Sequence, residues 1–120
     1  MGPFLRFSLA NSESGQRSVG VRAKTDFPVA IHDGQSVAHC RAIELSATGV
    51  VLERARTIPI DDCEQLLRLE LFIPGRDRPV RALARVVRVV GTRQALQFVS
   101  IYDHDRLTLM EHLDKKRAGR

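Results

Sequence analysis

The sequence predicts a mainly β fold: a small six-stranded antiparallel barrel followed by one C-terminal α-helix. Three observations carry this reading. Short apolar runs with two-residue alternation recur from Thr25 to Ile101. Turn signals punctuate them at Asp33-Gly34, Pro74-Gly75 and Gly91-Thr92. Beyond Ile101 the period lengthens to that of a helix, with Leu107, Met110 and Leu113 forming an apolar stripe.

Taken in order, the first strand begins near Thr25, with Phe27, Val29 and Ile31 on one side. Asp33-Gly34 folds it back into a second strand, Val37 to Leu45, and a third follows from Thr48 to Leu52. Glu53 to Asp62 has no clean period, contains Pro59, and reads as a connection. Leu67, Leu69, Leu71 and Ile73 then alternate with Arg68, Glu70 and Phe72, the pattern of a half-buried strand. Val80 to Val90 is one long strand. Arg81 and Arg85 share a side of it while Arg88 falls on the other, and a bulge near Val86-Val87 restores the alternation. Gln94 to Ile101 closes the sheet. Asp103 is suited to cap the helix and Asp105 to its first turn. Leu109 flanks the apolar stripe, and Lys115, Lys116 and Arg117 complement the C-terminal end of the dipole. The helix is expected to plug or flank an open side of the barrel.

The 120 residues suit one compact domain, assigned to residues 17–114, with 43% hydrophobic content to fill its core. Residues 1–16 are expected to be a flexible segment, linker-like from Asn11 to Gln16, with Phe4, Leu5, Phe7 and Leu9 available to dock. Residues 115–120 are expected to form a basic tail. A net charge of +5 favours an anionic partner without naming it. Aromatics at 5% and the absence of tryptophan argue against a protein that stacks many bases. Cys40 and Cys63 are too few for a disulfide framework and read as small buried hydrophobes of a reduced, cytoplasmic protein. No run approaches membrane-spanning length, so membrane insertion is not expected.

The stretch with the most chemistry is Ile43 to Leu52, the end of one strand, a polar turn and the start of the next. Ser46 is placed to bond local backbone groups, and Gly49 to adopt a positive φ or to let another group approach closely. Glu44 lies two residues before Ser46 and so points to the same side. Upstream, Arg17-Ser18-Val19-Gly20-Val21-Arg22 supplies two arginines.

In this order and spacing the chain resembles the PilZ domain, a bacterial module that binds cyclic diguanylate. That family carries an RxxxR loop before its first strand, a (D/N)xSxxG turn between its second and third, and a terminal amphipathic helix. The matching residues are Arg22 ahead of Phe27-Pro28-Val29, the turn Glu44-Leu45-Ser46-Ala47-Thr48-Gly49, Leu67 to Leu71, Ala84 to Val89, and Gln97-Phe98-Val99. The resemblance spans about residues 17–114. Two positions depart from it. Ser18 stands four residues before Arg22, with Arg17 one place too early, and Glu44 replaces Asp or Asn.

The resemblance implies a receptor or adaptor for cyclic diguanylate that controls motility, polarity or exopolysaccharide output, with Arg17, Arg22, Glu44, Ser46 and Gly49 as ligand residues. It also implies a protein partner, whose identity the sequence does not give. Arginine's planar fork meets guanine O6 and N7 or clamps a phosphate, and a carboxylate accepts from guanine N1–H and N2–H₂. The plainer alternatives are a solvated basic loop for Arg17 and Arg22, and a surface ion pair with Arg41 for Glu44. A degenerate domain acting only through protein contact is the second reading.

Other chemistries fit less well. Arg76, Arg78, Arg81, Arg85, Arg88 and Arg93 lack interleaved aromatics, which disfavours RNA or DNA as partner. His32, His39, Cys40 and Cys63 match no common metal-ligand spacing, and no metal or other cofactor is expected. Ser46 lacks a G-x-S-x-G elbow, so no catalytic residue is assigned.

Overall fold

The structure, a computed structural model, describes residues 22–56 and 65–118, with side chains described through Lys116. Its elements are β1 (Arg22–His32), β2 (Val37–Ser46), β3 (Gly49–Glu53), β4 (Leu66–Leu71), β5 (Val80–Val90), β6 (Arg93–Ile101) and α1 (Asp103–Ala118). The strands are antiparallel and close into a barrel in the order β1-β2-β3-β6-β5-β4. Strand ends fall within a few residues of the expected ones. The exception is β1, which starts at Arg22 rather than Thr25, so Arg22 belongs to the sheet and not to a loop.

Alternation explains the strands. In β4, Leu67, Leu69 and Leu71 are buried while Leu66 and Arg68 are exposed. In β1, Phe27, Val29 and Ile31 all point inward. The Asp33-Gly34 signal works through the aspartate as well as the glycine. Asp33 Oδ1 accepts from the amides of Gln35 and Ser36, each at 3.0 Å, and Gly34 takes a φ of 102°. Those amide bonds hold the Asp33 carboxyl below its ordinary pKa.

The barrel has no open side. β1 pairs with β4 from Val29↔Leu71 to His32↔Arg68 and completes the circle. The helix therefore packs against a closed barrel, adding Leu109 and Leu113 to the same core as Phe27, Ile73 and Val80. Its buried stripe differs from the expected one. Leu107 is 63% exposed and Met110 38%, whereas Asp105, Leu109 and Leu113 are buried. The packing face is rotated away from the stripe that hydrophobicity alone suggests. Asp105 belongs to the docked face, where its Oδ2 accepts the backbone N–H of Arg81 on β5 at 3.3 Å. The helix continues to Ala118, so Lys115 and Lys116 stand on its last turns. Asp103 is its first helical residue, and the preceding residue, Tyr102, accepts from Arg106 N at 2.8 Å.

Cys40 faces inward, its Sγ 3.8 Å from the carbonyl oxygen of Val29, and burial pushes its thiol up to about 11. It is a buried, protonated thiol with no nucleophilic character at neutral pH. Cys63 lies outside the described residues, as do residues 1–21 with Arg17 among them.

Besides Asp105, the helix sets a histidine against the barrel. His112 sets its ring edge-on to Phe27, with centroids 6.0 Å apart and planes at 84°. Its Nε2 is buried and has no hydrogen-bond partner among the described residues. Burial first, then Lys116, Lys115 and Arg76, lower its pKa below 6.5. A histidine kept neutral in the fold but free to protonate when unfolded withdraws stability as pH falls. Its contribution is intact above about pH 6.5 and is lost as pH drops through its lowered native pKa. In melting curves from pH 8 to 5, His112→Phe should show a shallower fall in Tm than the parent. Parallel curves would count against this assignment.

Candidate ligand-binding site

The β2–β3 turn is built by Ser46. Its Oγ accepts from the amides of Thr48 and Gly49, both at 3.2 Å, so the hydroxyl folds the corner on itself. The turn is tied to β6 by Phe98 N donating to Thr48 O at 2.8 Å. Gly49 does not have the positive φ that the turn pattern suggested; only Gly34, Gly75 and Gly91 do among the described residues. It is required for close approach instead. A Cβ at Gly49 would collide with the carbonyl oxygen of Leu96, and would lie 3.4 Å from its carbon and 3.5 Å from Gln97 Cα.

Register places the polar residues in rows on the outer face. Arg22 stands opposite Ser46 and Lys24 opposite Glu44. Leu45 points into the core at 1% exposure, which turns Glu44 and Ser46 outward together, as their spacing predicts. Arg22 Nη1 lies 3.3 Å from Glu44 Oε1. The expected surface pair between Glu44 and Arg41 is not formed. Arg41 binds Asp26 through the side-chain carboxylate, and through its carbonyl oxygen at 2.9 Å. A register shift in β2 between Ala42 and Glu44 separates the two sets.

Arg22, Glu44, Ser46 and Gly49 all border one shallow concavity of about 390 Å³. Four of the five residues singled out in the sequence thus come together; Arg17 is outside the described residues. The sequence reading missed the floor. Val51, Ala95 and Val87 line the same concavity, with Gln97 at its edge. Val51 stands opposite Glu44 and also opposite Ala95, so the floor continues the carboxylate row across β3 and β6. A rim of arginine, carboxylate and hydroxyl over an aliphatic floor suits a flat, polar-edged, anionic ligand.

A larger hollow of about 500 Å³ lies on another face, around Glu70. There the carboxylate is already paired from two sides, with His32 Nε2 at 3.1 Å and Arg81 Nε at 3.5 Å. Among the described residues, no group of three or more His, Cys, Asp or Glu is arranged to hold a metal ion. Nor is any helix there long and apolar enough to cross a membrane.

A closed six-stranded antiparallel barrel with a terminal helix and a polar cluster at one turn defines a small β-barrel domain with a candidate site at its β2–β3 corner. The PilZ domain model matches residues 16–115, and the chain belongs to the PilZ domain family. No curated protein matches the sequence. Among solved structures, the Bacillus subtilis inhibitor of motility MotI/DgrA is similar at 19% identity and a TM-score of 0.73, over 83% of this chain and 51% of that one. This chain thus spans about half the length of MotI. The PilZ domain of CeSA from a cellulose-synthesizing bacterium aligns at 14% identity and TM-score 0.61, covering 78% and 95% of the two chains. The PilZ domain of Escherichia coli YcgR with c-di-GMP aligns at 12% identity and TM-score 0.61, covering 82% and 89%. At these identities the structures establish the shared fold.

Proposed function

We propose that this PilZ-domain signalling protein is a receptor for cyclic diguanylate, acting as a binding and adaptor module rather than an enzyme and relaying the signal to a protein partner. The outputs that fit are motility, polarity or exopolysaccharide production. The observation that supports it best is the convergence of Arg22, Glu44 and Ser46 on one concavity in a fold shared with a c-di-GMP-bound PilZ domain. In this role Arg22 meets a phosphate or guanine edge, Glu44 accepts from guanine N1–H and N2–H₂, and Gly49 keeps the corner flat enough for approach. Arg17, outside the described residues, serves as the second arginine, one place out of the family's four-residue spacing.

A second reading has its own support. Arg22 and Glu44 are paired with each other at 3.3 Å, so a ligand competes with that pair for both groups. A domain that leaves the pair intact would act by protein contact alone.

Calorimetric titration with cyclic diguanylate decides between them. The expected affinity is micromolar or weaker, because Ser18 stands where the family has arginine and the rim is self-paired. Arg22→Ala should weaken binding more than Arg17→Ala, and Ser18→Arg should tighten it. Glu44→Asp should keep or improve affinity, and Glu44→Ala should cost about 1–3 kcal/mol by leaving guanine donors unpaired. Absence of heat at millimolar ligand would favour the adaptor.

A further inference from the structure

We propose that β5 supplies the second half of this site, with Arg85 and Arg88 reading the far guanine of the ligand across an aliphatic floor. The inference rests on the cyclic diguanylate reading above and extends it to residues outside the two family motifs.

In a regular strand, residues three apart point to opposite faces, so Arg85 and Arg88 should diverge. They do not. Val86 stands opposite Leu96 and Arg88 opposite Ala95, which leaves Val87 without an opposite number on β6. The extra residue resets the alternation. Val86 is fully buried, while Arg85, Val87 and Arg88 are all exposed. Two guanidiniums therefore share the outer face, with Val87 between them, and Val87 lines the same concavity as Arg22, Glu44 and Ser46.

The register completes the picture. One row runs Arg22, Ser46 on β1 and β2, then Gly49, Gln97, Arg85 on β3, β6 and β5. The next runs Lys24, Glu44, Val51, Ala95, Arg88. Each row is cationic at both ends, and in the second the middle is aliphatic. Neighbouring strands lie about 4.8 Å apart, so β2 and β5 are separated by about 14 Å along the sheet. A ligand that engages both walls presents two separated polar edges, as a dinucleotide does. Neither Arg85 nor Arg88 has a carboxylate within salt-bridge distance among the described residues, whereas Arg22, Arg41, Arg76, Arg81 and Arg93 each have one. The two β5 guanidiniums need break no ion pair to bind. Their chemistry selects guanine, whose O6 and N7 both accept from the arginine fork, over adenine, whose N6 amine donates.

The test compares cyclic diguanylate with cyclic diadenylate on the full chain. The parent should prefer the guanine ligand. Arg85→Ala with Arg88→Ala should lower its affinity at least tenfold and reduce that preference, leaving the share set by Glu44, with an unchanged Tm because both side chains are exposed. Arg106→Ala, which removes one exposed charge on α1, should change affinity less than twofold. A double variant that binds within twofold of the parent would overturn this inference and leave the receptor reading standing. Equal loss for both ligands would also overturn it, reducing the arginines to a general attraction. A parent that binds neither ligand would overturn both readings.

Discussion

Gly49→Ala should destabilise the domain by about 2–3 kcal/mol, seen as a lower midpoint in chemical denaturation. The added methyl meets the backbone of Leu96, not a side chain that can swing away. Relief requires β3 and β6 to separate where Gly49 pairs with Gln97 and Phe98 N bonds Thr48 O. Gly49→Val should fail to fold. At Gly34 the nearest space is open, so Gly34→Ala is opposed only by its positive φ and should cost less. Equal losses at the two glycines would refute the close-approach account.

Leu109→Ala should cost about 2–5 kcal/mol, while Leu107→Ala should stay within about 0.5 kcal/mol of the parent. The two leucines are two residues apart on one helix and have equal side chains, yet Leu109 is fully buried and Leu107 is 63% exposed. Helix propensity barely separates the variants, so the difference in unfolding free energy reports the docked face of α1 directly. A large loss at Leu107 would restore the stripe of Leu107, Met110 and Leu113 suggested by spacing.

That stripe marks where sequence reading stopped short. Two-residue alternation was legible because a strand's inward residues contact one core irrespective of what surrounds them, and even the bulge in β5 was visible as a phase break between Arg85 and Arg88. A helix with leucines at 107, 109 and 113 and methionine at 110 has more than one apolar face on offer. The docked face carries a polar contact, Asp105 to the Arg81 amide, which hydrophobic periodicity does not reveal. The barrel was legible, but not the absence of an open side, since that depends on β1 reaching β4, a pairing with no local signal. At the candidate site, the shared outward direction of Glu44 and Ser46 was legible from their spacing. Their floor was not, because Val51, Ala95 and Val87 come from three strands and look like ordinary β residues one at a time.

The β3–β6 ladder has a kinetic consequence. The β1–β2–β3 meander and the β5–β6 hairpin are each built from neighbours in sequence, and such pairings form early. Joining them through Gly49↔Gln97 to Glu53↔Arg93 closes a loop of about forty residues, a slow and entropically costly encounter. The concavity straddles this joint, with its arginine–carboxylate rim on one unit and Ala95, Gln97 and Val87 on the other. A chain on the ribosome therefore has no complete concavity until residues past Gln97 have emerged. Any molecule that bridges the two units slows their separation. In hydrogen exchange, its occupancy would be read first at the amides of Gly49 to Glu53 rather than across the whole barrel.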